Sequence, residues 1–322
     1  MRVSVVIPTY RRPDLLRRCL TRLSEQVFDP AEYEVVVADD AASEQTRRQV
    51  AEFAAGTAAA VRYVAVTGRH GPAAARNAGW RGARGEVVAF TDDDTLPEPT
   101  WLAEGVAALH NEPAAAAATG RVVVPVPQRP TDYERDAAGL ERAEFVTANV
   151  FCRRSALEAV GGFDERFTSA WREDSDLQFA LLSRGSKITA APRAVVVHPV
   201  RPAPWGVCLR QQCKVFFDAL LYKKHPGLYR RHIRRSPRWD YYAVVAALLA
   251  AVVSILAGAV LPALLAVTAW AVLTGRFCAR RLRGASLAPG HVAEMVVTSA
   301  LIPPLAVFWR ICGAVKFRVL FL

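Results

Sequence analysis

The sequence predicts an α/β fold: a parallel sheet with helices on both faces, followed by a helical region suited to a membrane. Short β-branched apolar runs alternate with amphipathic stretches across the first 200 residues, the pattern of a parallel sheet with crossover helices. Acids close two of those runs, at Asp39–Asp40 and Asp92–Asp94. Charge is also divided unevenly. Residues 1–200 hold 24 Lys/Arg and 27 Asp/Glu, whereas residues 201–322 hold 17 Lys/Arg and three acids, a balance of −3 against +14.

The elements follow in order. "VSVVIP" (3–8) is short, branched and apolar, as a strand buried on both faces should be. Residues 13–27 place Leu16, Cys19, Leu20, Leu23 and Val27 at helical spacing, with Pro13 suited to a first turn. "YEVVVADD" (33–40) reads as a second strand, 43–56 as a helix, and "VRYVAV" (61–66) as a third strand. A helix over 73–83 and a strand "EVVAFTDDD" (86–94) come next. Residues 125–136 are a proline-broken polar loop, a candidate lid or acceptor loop. Residues 145–167 read as strand, helix and Gly-Gly stop, 173–185 as a helix with acids at its start, and 187–199 as a last strand.

The boundary is expected near 205, with domains at 1–205, 206–240 and 241–322. "RQQCKVFFDALLYKK" (210–224) reads as an amphipathic helix with basic flanks, suited to an interface or to docking on the first domain. From Tyr241 to Gly275 there are 35 residues without a charge. One membrane span needs about 20, and Gly258 and Pro262 break the run, so two short spans in a hairpin are expected at about 241–257 and 261–275, with one steeply tilted span or a buried soluble hairpin as the alternatives. Residues 295–309 are uncharged but carry Pro303–Pro304, and read as re-entrant, interfacial or a third span. A basic tail can meet nucleic acid or an anionic membrane surface; the long apolar run in the same tail speaks against nucleic acid and favours inner-leaflet lipids. The six cysteines form no CxxC pair or zinc-like cluster and read as small apolar residues in a reducing compartment. The first apolar run stops at Pro8, too short for a secretory signal, so the first domain is expected in the cytoplasm.

Three adjacent acids require a cation or full solvation. Asp92 and Asp94 are two apart, so at a strand end they point to one side and could hold a divalent metal; a solvated acidic turn is the alternative. Arg76 precedes them on a helix and could pair with the acids or with a phosphate. Asp40 could accept hydrogen bonds from a nucleobase or cap a helix, and Tyr10 could stack on that base. Glu173 and Asp174 open a helix, where an ionised carboxylate is favoured and could take a proton from a hydroxyl. His198 ends the last strand as a metal ligand or a satisfied core histidine.

With these segments in order, residues 3–198 resemble the family 2 glycosyltransferases with the GT-A fold. The matching stretches are "VSVVIPTY", "EVVVADDAA", "GPAAARNAGW", "GEVVAFTDDDTLPEPTWL", "CRRSALEAVGGFDERF", "EDSDLQFALLSRG" and "AVVVH". The resemblance implies a nucleoside-diphosphate-sugar donor, a divalent metal (Mg or Mn), and inversion at the anomeric carbon. It places Pro8, Tyr10, Asp40, Arg76, Asp92 and Asp93 with the donor. It makes Asp92, Asp94 and His198 the metal set, Asp174 the catalytic base and Glu173 its support on the acceptor side. The chain departs from the family pattern at Ala41–Ala42, where Gly-Ser is common, and at Thr147, where glycine is common. "QQCKV" (211–215) lacks the Arg-Trp of processive synthases, so non-processive transfer is expected, to a lipid-linked or cell-envelope glycan hydroxyl. Alanine- and arginine-rich usage hints at a bacterial source, and the expected location is the cytoplasmic membrane with the catalytic domain on the cytoplasmic side. Two other readings are a nucleotidyltransferase, disfavoured by the absence of glycine in "PTYRRPDLL", and a non-catalytic scaffold that binds nucleotide-sugars, disfavoured by Glu173–Asp174.

Overall fold

A computed structural model describes residues 2–321. The chain forms two units: residues up to Pro125 with Ala138–Val200, and Val126–Ala137 with Arg201 onward.

In the first unit the chain runs β1 (Val3–Thr9), α1 (Pro13–Ser24), β2 (Tyr33–Asp39), α2 (Glu44–Ala55), β3 (Ala60–Ala65), α3 (Pro72–Arg81), β4 (Val87–Phe90) and β5 (Leu96–Pro97). After α4 (Trp101–Asn111) and β6 (Ala115–Val123) it crosses α5 (Asp132–Ala137) of the other unit. It returns as β7 (Val150–Arg153), α6 (Arg154–Val160), α7 (Glu173–Ser183) and β8 (Lys187–Val197). The sheet has eight strands in the order β3-β2-β1-β4-β7-β6-β8-β5. It is mixed rather than wholly parallel: β7 is antiparallel to both neighbours and β5 is antiparallel to β8. Because β6 pairs parallel with β8, the strands β1 to β4, β6 and β8 share one direction and end at one rim.

The physical reasons are local. β1, β2 and β4 lie between layers, and Val5, Val6, Val36, Val88 and Phe90 are fully buried. α1 presents Leu16, Cys19, Leu20 and Leu23 to the core and begins at Pro13. It ends at Ser24, so Val27 falls beyond the helix and is exposed. The fourth strand stops at Phe90, which leaves Asp92–Asp94 in the turn past its end.

The second unit contains α5, α8 (Val207–Gln211), a 3-10 turn (Gln212–Val215), α9 (Phe216–Lys224), α10 (Pro226–Leu228), a π turn (Tyr229–Ile233), α11 (Trp239–Leu256), α12 (Val260–Leu282) and α13 (Pro289–Phe317). The expected helix over 210–224 is thus three pieces, and its apolar face meets α13. Phe216 packs on Trp309 and Phe317, and Lys223 Nζ donates to the Phe317 carbonyl at 2.7 Å. α13 continues through Pro303–Pro304. Three helices, α11, α12 and α13, are long and apolar enough to cross a membrane.

The segment Val126–Ala137 belongs to this helical unit, so the polar loop read as a lid is held at several points. Arg281, itself buried, donates to Asp132 at 2.8 Å and to the hydroxyls of Thr298 and Ser299 at 2.7 and 3.0 Å. Ser286 N–H donates to the Pro130 carbonyl, and Asp132 N–H to His291 Nε2.

Candidate active site

The shared strand direction explains where the site is. β2, β1 and β4 are adjacent, so Asp39–Asp40, Thr9–Tyr10 and Asp92–Asp94 stand side by side at the carboxyl rim, the edge where open α/β sheets bind ligands. α7 ends three residues before β8 begins, so it runs back along β8 and its first turn returns to the rim at which β8 ends. That turn carries Glu173 and Asp174.

The two-residue strand β5 completes the arrangement. It follows the aspartates directly, and Leu96 pairs with Val197 of β8. That pairing sets Asp94 beside His198, with Nε2 3.5 Å from Oδ1. Asp92, Asp94 and His198 each offer a donor atom, and the three atoms lie within 4.8 Å of one another. Two carboxylates and an imidazole suit a hard or borderline divalent ion such as Mg or Mn. Opposed donors on such an ion lie about 4.2 Å apart, since each sits about 2.1 Å away, so a small inward movement is enough. His198 Nδ1 is buried and has no hydrogen-bond partner among the described residues.

Arginine is the other answer to the crowded acids. Arg76, on the buried face of α3, donates from Nη2 to Asp92 at 2.7 Å and from Nη1 to Glu173 at 3.0 Å. Arg12 approaches Asp93 at 3.2 Å and Asp94 at 3.7 Å. Asp93 points inward, 3% exposed, and takes a 2.7 Å hydrogen bond from the Thr9 hydroxyl. Burial pushes its carboxyl up to about 6 against the opposing pull of Thr9 and Arg12. The middle acid therefore supports the turn between its two neighbours, and the sequence held a sign of its partners in Thr9 and Arg12 at the end of β1.

Glu173 and Asp174 are both raised above ordinary carboxylates, in each case first by burial. The Asp174 charge adds to the rise at Glu173 and Arg76 opposes it. Asp174 is held down in part by the Ser175 N–H, which donates to it at 2.6 Å, and by Arg172 and Arg76. Glu173 Oε2 is buried and has no hydrogen-bond partner among the described residues. Arg172 enters the helix at φ 74°, an uncommon conformation of the kind found where a site fixes the backbone.

Asp40 receives the Gly71 N–H at 2.9 Å and lies 3.0 Å from His70 Nδ1, which ties the β2 and β3 loops together. Its neighbour Asp39, fully buried, accepts from Ala41 and Ser43 N–H and from the Tyr63 hydroxyl. Pro8 lies within β1 and Tyr10 is 51% exposed just beyond it. Asn77, beside Arg76, is a structural hub. Its Nδ2 donates to the Phe163 carbonyl and to Glu165, both at 2.8 Å, and its Oδ1 accepts from Trp80 Nε1 and Phe163 N–H. Gly162 makes this possible: its φ is +75°, and a Cβ there would lie 2.6 Å from both Asn77 Oδ1 and Trp80 Nε1.

Fold and site together define a glycosyltransferase of the GT-A type. The pattern described as Glycosyl transferase family 2 matches residues 4–162, and that of Glycosyl transferase family group 2 matches residues 87–279. The chain belongs to the family 2 glycosyltransferases. It is similar to glycosyltransferase AglE of Haloferax volcanii, 27% identical over 222 residues, covering 66% of this chain and 71% of the relative. Validoxylamine A glucosyltransferase of Streptomyces hygroscopicus subsp. limoneus is 29% identical over 59% of this chain, and the pre-mycofactocin glycosyltransferase of Mycobacterium tuberculosis is 30% identical over 62%. The chain spans 49% and 43% of the lengths of those two relatives. Among solved structures it resembles the mannosyltransferase PcManGT of Pyrobaculum calidifontis in complex with GDP-Man and Mn2+, with TM-score 0.58, 24% identity, and coverage of 98% of this chain and 87% of that one. S. aureus TarS 1–349 in complex with UDP-GlcNAc gives TM-score 0.55 at 16% identity, covering all of this chain and 93% of that one.

Proposed function

We propose that this protein is a metal-dependent, inverting glycosyltransferase that moves one sugar from a nucleoside-diphosphate-sugar to a hydroxyl on a lipid-linked or cell-envelope glycan acceptor. The observation that carries the reading is the chain Asp92–Arg76–Glu173, which links the acidic turn after β4 to the first turn of α7. The donors GDP-Man and UDP-GlcNAc, bound by the two structural neighbours, support a nucleotide-sugar for this chain, and Mn2+ in one of them supports the metal.

In this reading Pro8, Tyr10 and Asp40 hold the base at the ends of β1 and β2. Asp92, Asp94 and His198 hold a divalent ion, which when bound takes up negative charge on the departing diphosphate. Asp174 accepts the proton of the acceptor hydroxyl. The freed oxygen forms its bond to the anomeric carbon on the face opposite the diphosphate, and the bond from that carbon to the diphosphate oxygen breaks, so the configuration inverts. Glu173, fixed by Arg76, directs Oε2 toward the acceptor. The apolar α11 and α12 place the enzyme at a membrane whose anionic headgroups meet the basic tail, with the first unit on the cytoplasmic side.

The test is a donor screen with the full chain in detergent, with and without Mn2+, reading released nucleoside diphosphate. Asp174→Asn should lose turnover and keep donor affinity. Equal turnover in that variant would remove Asp174 as the base.

A further inference from the structure

The hairpin of α11 and α12 has a charged, aromatic base and a bare apolar apex. At the base Asp240 lies 3.4 Å from Arg280 and the Tyr241 and Phe277 rings are 5.4 Å apart. Arg231, Arg234, Arg235, Arg276, Arg280 and Arg283 are exposed at that end. The apex is Leu256-Ala257-Gly258-Ala259-Val260-Leu261, without one polar side chain, and Leu256, Val260 and Leu261 are 82%, 71% and 67% exposed.

We infer that this hairpin enters an anionic bilayer from one face and turns back inside it, so that the apex never reaches the opposite aqueous phase. The inference rests on the membrane reading above and deepens it. Length is the first argument. The uncharged part of each helix, Tyr241–Leu256 and Val260–Gly275, is sixteen residues, about 24 Å at the helical rise, against a hydrocarbon core of about 30 Å. Composition is the second. A spanning hairpin places its turn among the far headgroups, where Trp, Tyr and basic residues gather; here Trp239, Tyr241, Tyr242 and Phe277 are at the base, Trp270 lies in the half of the uncharged stretch nearer the base, and no aromatic or basic residue stands at the apex.

The third argument is the turn's own hydrogen bonding, because exposed amides in hydrocarbon cost several kcal/mol. Ala257 N–H donates to the Val253 carbonyl, Gly258 to Ile255, Ala259 to Ser254, and Ala263 to Ala259. Pro262 has no amide proton to satisfy. Gly258, at φ +67°, allows the reversal without a strained side chain. Most of the turn's amides are thus bonded within it, and only the Val260 and Leu261 N–H groups at the start of α12 have no such bond among the described residues.

The experiment uses the full chain in phosphatidylethanolamine–phosphatidylglycerol vesicles. Ala257→Cys and Ser236→Cys are each compared with the parent protein for added labelling by a membrane-impermeant maleimide. The reagent is supplied outside, then on both sides by freeze–thaw loading, then in detergent. Ser236→Cys, in the exposed basic stretch before α11, should gain one equivalent of label on its accessible face. Ala257→Cys should gain none from either face and one equivalent in detergent. Label on Ala257→Cys from the face opposite Ser236→Cys would overturn the inference, and Val260→Cys gives the same readout should the first variant fold poorly. An alkaline carbonate wash separates the two claims: protein that washes off the vesicles never inserted, which sinks the membrane reading and this one with it. Protein that resists the wash but labels at the apex from the far side sinks this one alone.

Discussion

Arg76 and Glu173 are 97 residues apart in the chain and 3.0 Å apart in space, both buried. The same guanidinium reaches Asp92 with its other terminal nitrogen. One side chain therefore sets the spacing between Asp92, proposed to hold the metal, and Glu173, proposed to face the acceptor. Arg76→Ala would leave both acids without that partner, at a cost of about 3–5 kcal/mol in stability. Arg76→Lys keeps the charge but cannot fork to two carboxylates. It should fold, and lose about 100-fold in turnover through misplacement alone. Thermal unfolding paired with a turnover assay separates the two effects, and wild-type turnover in the lysine variant would end the positioning role.

The metal assignment makes a prediction at His198. Its ring meets Asp94 only because Leu96 pairs with Val197. His198→Ala should weaken Mn2+ binding by at least the roughly 10–100-fold typical of losing an outer-shell partner of a metal ligand, and Asp94→Ala more so. Mn2+ titration followed by electron paramagnetic resonance reads this directly, without turnover. Unchanged affinity in both variants would place the ion elsewhere.

A carboxylate proposed as the base must be ionised to work. Asp174 sits above its ordinary value, first because it is buried, with Arg76, Arg172 and the Ser175 N–H pulling the other way. Turnover should therefore fall as pH drops through a limb lying above the usual aspartate range near 4. Arg76 is one of the charges that lower both Asp174 and Glu173. Removing it must raise them, so the acid limb of residual activity in Arg76→Ala should move to higher pH. A limb that stays put or moves down would show that Asp174 is not the group being titrated.

Much of this was readable from the residues, for reasons that also mark where reading stops. β1, β2 and β4 are buried on both faces, so their composition declares them. β6 was not visible: its buried half is an alanine run, Ala115–Ala118, with no branched residue to signal a strand. The reversal of β7 had no local signature either, because direction is fixed by which neighbours it pairs. Asp92, Asp94 and His198 each stood out by residue type and position, but what joins them is a two-residue strand below any periodicity threshold. Asp93 looked like its neighbours and is turned the opposite way by Thr9 and Arg12. The stretch 210–224 had an interface-like face, and that face is spent on α13 instead.

Asn77 gives a prediction about folding rather than chemistry. It satisfies Trp80 Nε1 and both backbone groups of Phe163, and it touches no proposed ligand. Asn77→Ala would leave buried donors and an acceptor unpaired, for about 2–5 kcal/mol in all. Asn77→Asp keeps the acceptor to Trp80 and the Phe163 N–H but loses the donor to the Phe163 carbonyl and faces Glu165, so it should recover only part. Full-chain unfolding curves in detergent decide this; wild-type stability in Asn77→Ala would mean the loop after Gly162 is held by something else.

The pair Asp132–Arg281 should behave as an anchor for the segment Val126–Ala137. Arg281 is buried and shared among Asp132, Thr298 and Ser299, while Arg135 donates to the Arg281 carbonyl and to Asp132. Arg281→Gln would leave Asp132 partly unpaired, and Asp132→Asn would leave a buried guanidinium without its carboxylate; each should cost about 2–4 kcal/mol locally. The double variant replaces the ion pair by two neutral amides that can still hydrogen-bond, so it should cost less than the sum of the singles, a coupling that a double-mutant cycle isolates. The readout is cleavage of the segment by trypsin after Arg135, since the bond from Arg129 to Pro130 is not a tryptic site, in the intact chain. Each single variant should be cut faster than the parent, and the double variant at an intermediate rate. Equal cleavage rates in all four proteins would mean that Pro130 on Ser286 and Asp132 N–H on His291 hold the segment without the ion pair.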